Sequence, residues 1–173
     1  GMNVLAYDPY HIENPDFEYV ELEMLYRESD IISLHCPLTE NSKYMLNEKA
    51  FESMKNGVYI INTSRGGLIE SEALLNALKC KKVAGAGLDV YEEETEIFFE
   101  DYSGEIVDDD VLARLVSLPN VIITSHQAFL TDEALKNIAE ITINNLEDYF
   151  NGKNLINEVC YCCKSGDVSF DCS

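Results

Sequence analysis

The sequence predicts an α/β fold built on a doubly wound sheet of parallel strands. Short apolar runs alternate with helical stretches along the chain, which is typical of a parallel sheet with helical crossovers. The runs are nearly continuous in apolar residues, as expected for strands that helices cover on both faces. Polar and charged residues follow the runs directly, and such sheets bind ligands at the carboxyl ends of their strands.

Five apolar runs are the predicted strands. They cover residues 3–7, 31–34, 58–61, 83–88 and 121–123. Apolar stripes predict the helices between and after them, and capping residues mark where some of these begin. We expect Asn47 to cap the second helix, Ser71 the third, and Thr131 the fifth, which runs to about Phe150. The first and fourth helices are marked by Leu22, Leu25 and Tyr26, and by Val111, Leu112 and Leu115.

The length of 173 residues is sufficient for one domain with a sizeable core. The helical pattern fades after Gly152. We therefore predict one domain over residues 1–152 and a tail over residues 153–173.

Acidic residues dominate the charge, because 32 Asp and Glu against 12 Lys and Arg give a formal net charge of −20. Such a chain should repel nucleic acid and anionic membrane surfaces, so we expect neither as a partner. No apolar run approaches the roughly 20 residues that a membrane span requires. The sequence begins without the basic and apolar regions of a signal peptide, so the cytoplasm is the expected location.

Four of the six cysteines lie close together near the end of the sequence, in the pattern C-x-C-C-x8-C. This is not the paired C-x2-C spacing of a zinc site, and no histidine lies nearby. We predict reduced thiols and no metal. The cysteines are Cys36, Cys80, Cys160, Cys162, Cys163 and Cys172.

Asp8 follows the first predicted strand and is a candidate cofactor residue. A carboxylate in this position can accept both hydroxyls of an adenosine ribose. No Arg or Lys follows within a few residues to hold a 2′-phosphate, which favours NAD over NADP. The alternative is a turn aspartate before Pro9, and position alone leaves both interpretations open.

Arg65 lies in a loop of small residues directly after a predicted strand. Gly66 and Gly67 would let the backbone approach a ligand. A guanidinium there could bind a carboxylate through two parallel hydrogen bonds. The alternative is a surface arginine paired with an acid, but a basic residue in this loop, in so acidic a chain, favours function.

His126 follows the last predicted strand almost at once. A histidine can deliver and recover a proton near neutral pH, and a carboxylate partner would fix its tautomer. The acidic run of residues 92–94 is predicted to be mostly a solvated face, with one glutamate close to His126. From position alone, a capping or packing histidine is the favoured alternative. His11 is expected on a loop surface and His35 at the cofactor edge.

The stretch from Gly85 to Val90 begins like a G-x-G-x-x-G phosphate loop but ends in valine. It lies inside a predicted strand, and no helix follows immediately. We reject it as a phosphate loop and expect its small residues to permit close packing.

Five motifs resemble those of the D-isomer-specific 2-hydroxyacid dehydrogenases in order and spacing, over residues 1–158. They are NVLAYDPY, SLHCPLTENSKYMLN, MKNGVYIINTSRGGLIE, AGLDVYEEE and ITSHQAFLT. The stretch EEETEIFFEDYSGEIVDDDVLARL, with SHQAF, is most similar to the D-lactate branch. The resemblance implies a Rossmann-like fold, NAD, a 2-keto or 2-hydroxy acid substrate and a homodimer when full-length.

The resemblance also implies residue roles. Arg65 would bind the substrate carboxylate, polarise its carbonyl and border the cofactor. His126 would be the proton donor when pyruvate is reduced, and Glu94 would pair with it. Asp8 would hold the adenosine ribose. Cys36 and Pro37 would line the adenine side with Asn41 nearby, and Thr63, Ser64 and Asp89 would surround the nicotinamide ribose and amide.

The family's first strand and its glycine-rich loop have no counterpart in the sequence, which begins at a match to the second strand. We therefore expect the carboxyl-terminal part of an enzyme, inactive alone, whose sheet has two unpaired inner edges. Three alternatives remain open: a relative acting on hydroxypyruvate or a bulkier 2-keto acid, a non-catalytic dinucleotide-binding module, and an inert fragment.

Overall fold

Parallel strands form two sheets in the first of two compact units, Gly1–Ala128 and Phe129–Ser173. The computed structural model describes residues 1–13, 15–92 and 109–159. The strands are β1 (Leu5–Ala6), β2 (Glu18–Tyr19), β3 (Ile31–Leu34), β4 (Val58–Asn62), β5 (Val83–Leu88) and β6 (Val121–Ile123). β1 pairs with β2, and the larger sheet has the order β3-β4-β5-β6. The parallel α/β fold is confirmed, and its division into two sheets agrees with the expected unpaired inner edges.

Among the described residues, four α-helices belong to the first unit and one to the second. They are α1 (Leu22–Glu28), α2 (Glu48–Ser53), α3 (Ser71–Lys79), α4 (Asp110–Ser117) and, in the second unit, α5 (Asp132–Phe150). Neighbouring helices pack in the order α1, α2, α3 and α4, with α3 against β5 and α4 against β6. Their apolar faces close one core with the larger sheet, in which Leu46, Ile60, Leu68 and Leu115 are fully buried.

The strands β3 and β4 alternate between buried and exposed side chains. Ile32 and Ile60 lie in the core, whereas their neighbours Ile31 and Tyr59 are 53% and 51% exposed. The prediction that both faces are covered is therefore not met for these two strands. Their apolar residues are nearly continuous, but the core contacts only every second one.

Two of the three predicted helix caps are confirmed. The side chain of Asn47 accepts a hydrogen bond from the amide of Ala50, and Thr131 accepts one from the amide of Ala134. The prediction for Ser71 is wrong, because Ser71 is the first helical residue of α3 and Glu70 precedes it without a side-chain cap. The physical reason is that a carboxylate from a distant segment accepts from the Ser71 amide instead.

The small residues of β5 permit close packing, as predicted. A Cβ atom at Gly85 would lie 2.9 Å from the carbonyl oxygen of Asn120 and 3.2 Å from the ring of Tyr59. One at Gly87 would lie 3.2 Å from the Cδ1 atom of Ile61. The two glycines therefore serve sheet packing.

The second unit contains the 19-residue helix α5. No residue of α5 is buried, and Leu135, Ile138, Ile141 and Leu146 are all about half exposed. The predicted division into residues 1–152 and 153–173 stays a prediction. Within the described ranges, no helix combines the length and apolar character that a membrane span needs.

Candidate active site

The register of the larger sheet aligns the carboxyl ends of its four strands. Leu34 pairs with Asn62, Asn62 with Leu88, and Leu88 with Ile123. The residues that follow these positions therefore emerge along one edge of the sheet. The prediction that polar residues gather there is confirmed for the segments after β3 to β6.

Asn62 fixes the loop that carries Arg65. Its side chain is 1% exposed. Its amide nitrogen donates to the carbonyl of Arg65 at 2.9 Å, and its oxygen accepts from the amide of Ser64 at 3.0 Å. The Arg65 side chain is exposed, and its guanidinium donates to the carbonyl of Ser64 at 2.7 Å. A buried polar side chain thus sets the backbone of this loop and leaves the guanidinium accessible.

Gly66 has a different role from the one its position suggests. A Cβ atom there would lie 1.9 Å from the carbonyl oxygen of Tyr91 and 2.5 Å from the nitrogen of Glu92. The space beside Gly66 is therefore filled by the backbone of residues 91–92, not left for a ligand. At Gly67 a Cβ atom would meet only the side chain of Leu38, at 3.1 Å.

Replacing Gly66 with alanine is expected to lower the free energy of unfolding by about 1–3 kcal/mol, because backbone atoms cannot yield to the added methyl group. Denaturant unfolding measures the change. Gly67→Ala is the matched control, since the tip of Leu38 can rotate away. Equal stability of the two variants would contradict this account of Gly66.

Glu92 is the one residue of the acidic run 92–94 that the structure describes, so the prediction that most of this run is a solvated face stays a prediction. Glu92 itself is half-buried, and its carboxylate accepts from the Tyr44 hydroxyl and, at 3.1 Å, from the Ser71 amide. The bond to Ser71 satisfies the free amide at the start of α3, where a negative charge is also favourable. Glu94 lies outside the described residues.

Asp89 binds the loop that carries His126. Asp89 is 4% exposed. Its carboxylate accepts from the Thr124 hydroxyl, from the amide of Gln127 at 2.9 Å and from the amide of Ala128 at 2.8 Å. Its backbone carbonyl accepts from the amide of His126 at 2.7 Å. These four hydrogen bonds surround His126 in the sequence and fix the backbone that carries it.

His126 has a φ of 53°, in the left-handed region that few residues other than glycine and asparagine adopt readily. Strained backbone of this kind persists only where the surroundings determine it, and it is common at functional sites. The hydrogen bonds that Asp89 accepts from this loop hold His126 in the strained conformation.

The Asp89 carboxylate keeps its charge to a lower pH than an ordinary aspartate does, because its pKa is lowered. Burial raises the pKa of Asp89, but hydrogen bonds from Thr124, Gln127 and Ala128, with the nearby His126, lower it by more. The pKa of Asp89 therefore lies below its ordinary value.

Asp8 and Cys36 lie close enough for the charge of Asp8 to act on the Cys36 thiol. Burial raises the pKa of the Cys36 thiol; a backbone hydrogen bond lowers it, and the negative charge of Asp8 raises it further. Asp8 is exposed, and its carboxylate accepts from the amide of Tyr10 at 2.8 Å. The turn that was one of the two interpretations of Asp8 is thus present, and a second carboxylate oxygen remains to accept from a ligand.

The other predicted cofactor residues follow β3 and β4. Ser64 donates to the carbonyl of Cys36 at 2.6 Å, which joins the two loops. Pro37, Asn41 and Thr63 are exposed. Outside this set, His35 is exposed and contacts the Ser33 hydroxyl at 2.8 Å, and exposed His11 stacks on Tyr19 with ring centroids 3.9 Å apart.

A cavity of about 280 Å³ lies elsewhere, bordered by Glu70, Glu72, Glu92 and Asp109. Neither Arg65 nor His126 lines it, and its acidic wall does not suit a carboxylate substrate. Among the described residues no cluster of three potential metal ligands occurs. The cysteines from Cys160 onwards lie outside the described residues.

Sequence reasoning missed the structural roles of Asn62 and Thr124, and the hydrogen bonds that Glu92 accepts from Tyr44 and Ser71. Asn62 ends a strand whose alternate positions are buried, so its burial, and hence its need for partners, could have been inferred. The partners of Glu92 lie 48 and 21 residues away in the sequence, and no local pattern predicts them.

Residues 1–128 match the family described as D-isomer specific 2-hydroxyacid dehydrogenase, NAD binding domain. The chain belongs to this dehydrogenase family. D-lactate dehydrogenase of Escherichia coli is 51% identical over 162 residues, which are 92% of this chain and 49% of that protein. An aromatic 2-oxoacid reductase of Clostridium sporogenes is 47% identical over 148 residues, 84% of this chain and 45% of that protein.

The dehydrogenase fold is also found in solved structures. D-lactate dehydrogenase with NAD+ from Lactobacillus jensenii superimposes with a TM-score of 0.81 at 34% identity. The superposition covers 91% of this chain and 48% of that one. The chain thus spans about half the length of the dehydrogenases it matches.

Proposed function

We propose that this protein acts as an NAD-dependent D-2-hydroxyacid dehydrogenase, with pyruvate and D-lactate as its substrate pair. The observation that carries the proposal is the fixed, left-handed backbone of His126 on the sheet edge that also presents Arg65. A histidine and an arginine on one edge supply the acid and the carboxylate ligand that reduction of a 2-keto acid requires.

The sheet edge fits a dinucleotide at most of the proposed positions. The exposed carboxylate of Asp8 can accept from ribose hydroxyls, and Pro37, Asn41 and Thr63 are also accessible. Ser64 can still accept while it donates to Cys36. Asp89 fits least, because loop atoms already occupy both of its carboxylate oxygens. We therefore propose that Asp89 acts on the nicotinamide side chiefly through the His126 loop.

In the proposed reaction, NADH supplies the hydride, and the chain supplies orientation, charge and a proton. Arg65 binds the substrate carboxylate through paired hydrogen bonds, and its positive charge polarises the neighbouring carbonyl. His126 donates a proton to the carbonyl oxygen as the alcohol forms, and accepts it in the reverse direction. Glu94 is proposed as the carboxylate that orients His126.

The substrate could also be a bulkier 2-keto acid. The similarity to the aromatic 2-oxoacid reductase favours this second candidate almost as strongly as the similarity to D-lactate dehydrogenase favours the first, since the identities are 47% and 51%. Both substrates carry the carboxylate and keto group that Arg65 and His126 would engage, so these residues do not distinguish them.

A formal net charge of −20 disfavours nucleic acid and anionic membranes as partners. We propose a cytoplasmic homodimer for the full-length protein.

Oxidation of NADH by the full-length protein tests the function. Pyruvate, hydroxypyruvate and phenylpyruvate are compared at equal concentrations by the loss of NADH absorbance. Turnover with pyruvate and the highest kcat/KM for it are expected. A higher kcat/KM for phenylpyruvate would favour the aromatic substrate class. If the protein bound NADH but reduced none of the 2-keto acids, the enzyme proposal would be wrong and a non-catalytic dinucleotide-binding module would be favoured.

A further inference from the structure

Glu92 joins two segments that lie far apart in the sequence. One carboxylate oxygen accepts from the hydroxyl of Tyr44, and the other accepts from the amide of Ser71 at 3.1 Å. Both contacts are partly buried. Hydrogen bonds to an ionised acceptor with reduced access to water are among the stronger ones in proteins.

Both segments are linked to the Arg65 loop, the first by a hydrogen bond and the second along the chain. The amide of Tyr44 donates to the carbonyl of Gly67 at 2.9 Å, two residues after Arg65. Tyr44 itself has a φ of 52°, a strained conformation that its neighbours must maintain. Ser71 is connected to Arg65 by the chain itself, because residues 65–71 form one short segment that ends at the start of α3.

The backbone beside Glu92 completes the enclosure of this loop. Residues 91–92 lie so close to Gly66 that no Cβ atom could be accommodated there. The Arg65 loop is therefore held at its start by Asn62 and further along by the segment that Glu92 anchors.

We propose that Glu92 is a positioning residue for Arg65. Its two hydrogen bonds hold the Arg65 loop in the conformation that directs the guanidinium at the substrate carboxylate. The inference rests on the proposed dehydrogenase function and adds a residue that does not itself touch substrate. A residue that merely stabilised α3 would affect unfolding and leave the substrate kinetics unchanged.

Steady-state kinetics of the full-length protein with pyruvate and NADH separate these two roles. For Glu92→Ala we expect the KM for pyruvate to rise about tenfold or more, because a small displacement of a binding group has a large effect on the reaction. The KM for NADH should stay within about twofold, since the residues proposed for the adenosine side of the cofactor lie outside the Arg65 loop that Glu92 holds. Glu92→Gln should recover most of the loss, because its oxygen can accept from Ser71 and its amide can donate to the Tyr44 oxygen.

Asp109→Ala is the matched control, because Asp109 caps α4 through the amides of Val111 and Leu112. It should lower stability and leave the KM for pyruvate unchanged. Tyr44→Phe removes one of the two Glu92 bonds and should raise this KM by a smaller factor, which keeps the test valid if Glu92→Ala does not fold.

An unchanged KM for pyruvate in Tyr44→Phe and Glu92→Ala, with an active wild-type protein, would overturn the positioning role alone. Failure of Glu92→Gln to recover activity would also overturn the positioning role, because glutamine preserves both hydrogen-bonded contacts and should therefore preserve the conformation of the Arg65 loop. Absence of turnover by the wild-type protein would overturn the proposed function, and this inference with it.

Discussion

Replacing His126 with asparagine is expected to lower kcat for pyruvate reduction by about 10²–10⁴-fold, the usual contribution of a positioned general acid. Asparagine is the informative substitute, because it tolerates the left-handed backbone conformation that His126 adopts. The variant therefore removes the proton donor with little added strain. His126→Ala would be less informative, because alanine disfavours this backbone conformation and a lower kcat could then come from a distorted loop as well as from the lost acid.

The kinetic measurement is paired with His11→Asn, in which an exposed histidine stacked on Tyr19 is changed in the same way. His11→Asn should retain its kcat, and both variants should unfold at similar denaturant concentrations to the wild type. A His126→Asn protein that kept more than about a tenth of the wild-type kcat would remove His126 from the role of general acid.

Replacing Asp89 with asparagine is expected to affect both activity and stability. The new amide group would face the backbone amide of Ala128, or, after rotation, the amide of Gln127, so one donor would meet another. Leaving a buried donor without an acceptor costs about 1–3 kcal/mol. The loop that carries His126 would shift, and a displacement of about 1 Å can lower kcat about 100-fold.

Urea unfolding and kinetics at pH 7 measure the two effects. Asp30→Asn is the control, because the side chain of Asp30 is 86% exposed and pairs only with Lys55 among the described residues. It makes the same chemical change without a buried partner. An Asp89→Asn protein as stable and active as Asp30→Asn would show that the carboxylate does not hold the loop.

The dependence of stability on pH gives a second test of Asp89. Its pKa in the folded protein lies below the unfolded value, so the unfolded state binds its proton first as the pH falls. The contribution of Asp89 is thus fully present above its unfolded pKa and is lost as the pH decreases through the folded pKa. We expect wild-type stability to fall below about pH 4, and this part of the decrease to be smaller in Asp89→Asn.

Local patterns predicted the elements of the fold better than the contacts between them. The strands β3, β5 and β6 match their predicted bounds, because each is an apolar run with polar residues or turns on both sides. The two-residue strand β2 carries no such signal. Ser71 has the residue type of a cap, yet Glu92 performs that task from 21 residues away.

The candidate site was predictable in position but not in its internal bonding. Residue types after each strand located Arg65, Asp89 and His126 on one edge, because parallel strands share their direction. The partners of Asp89 lie 35 to 39 residues further along the chain and depend on how β5 and β6 pair. Only the folded structure determines that register.

The hydrogen bonds of the His126 loop also make it observable by amide exchange. The amides of Thr124 and His126 donate to the carbonyls of Leu88 and Asp89, at 2.9 and 2.7 Å. Their deuterium uptake therefore reports the free energy with which this loop opens. Since the reporting protons belong to the backbone, uptake can be followed in the asparagine variant as readily as in the wild type. Order in the loop and proton transfer by the imidazole thus become two separately measurable quantities.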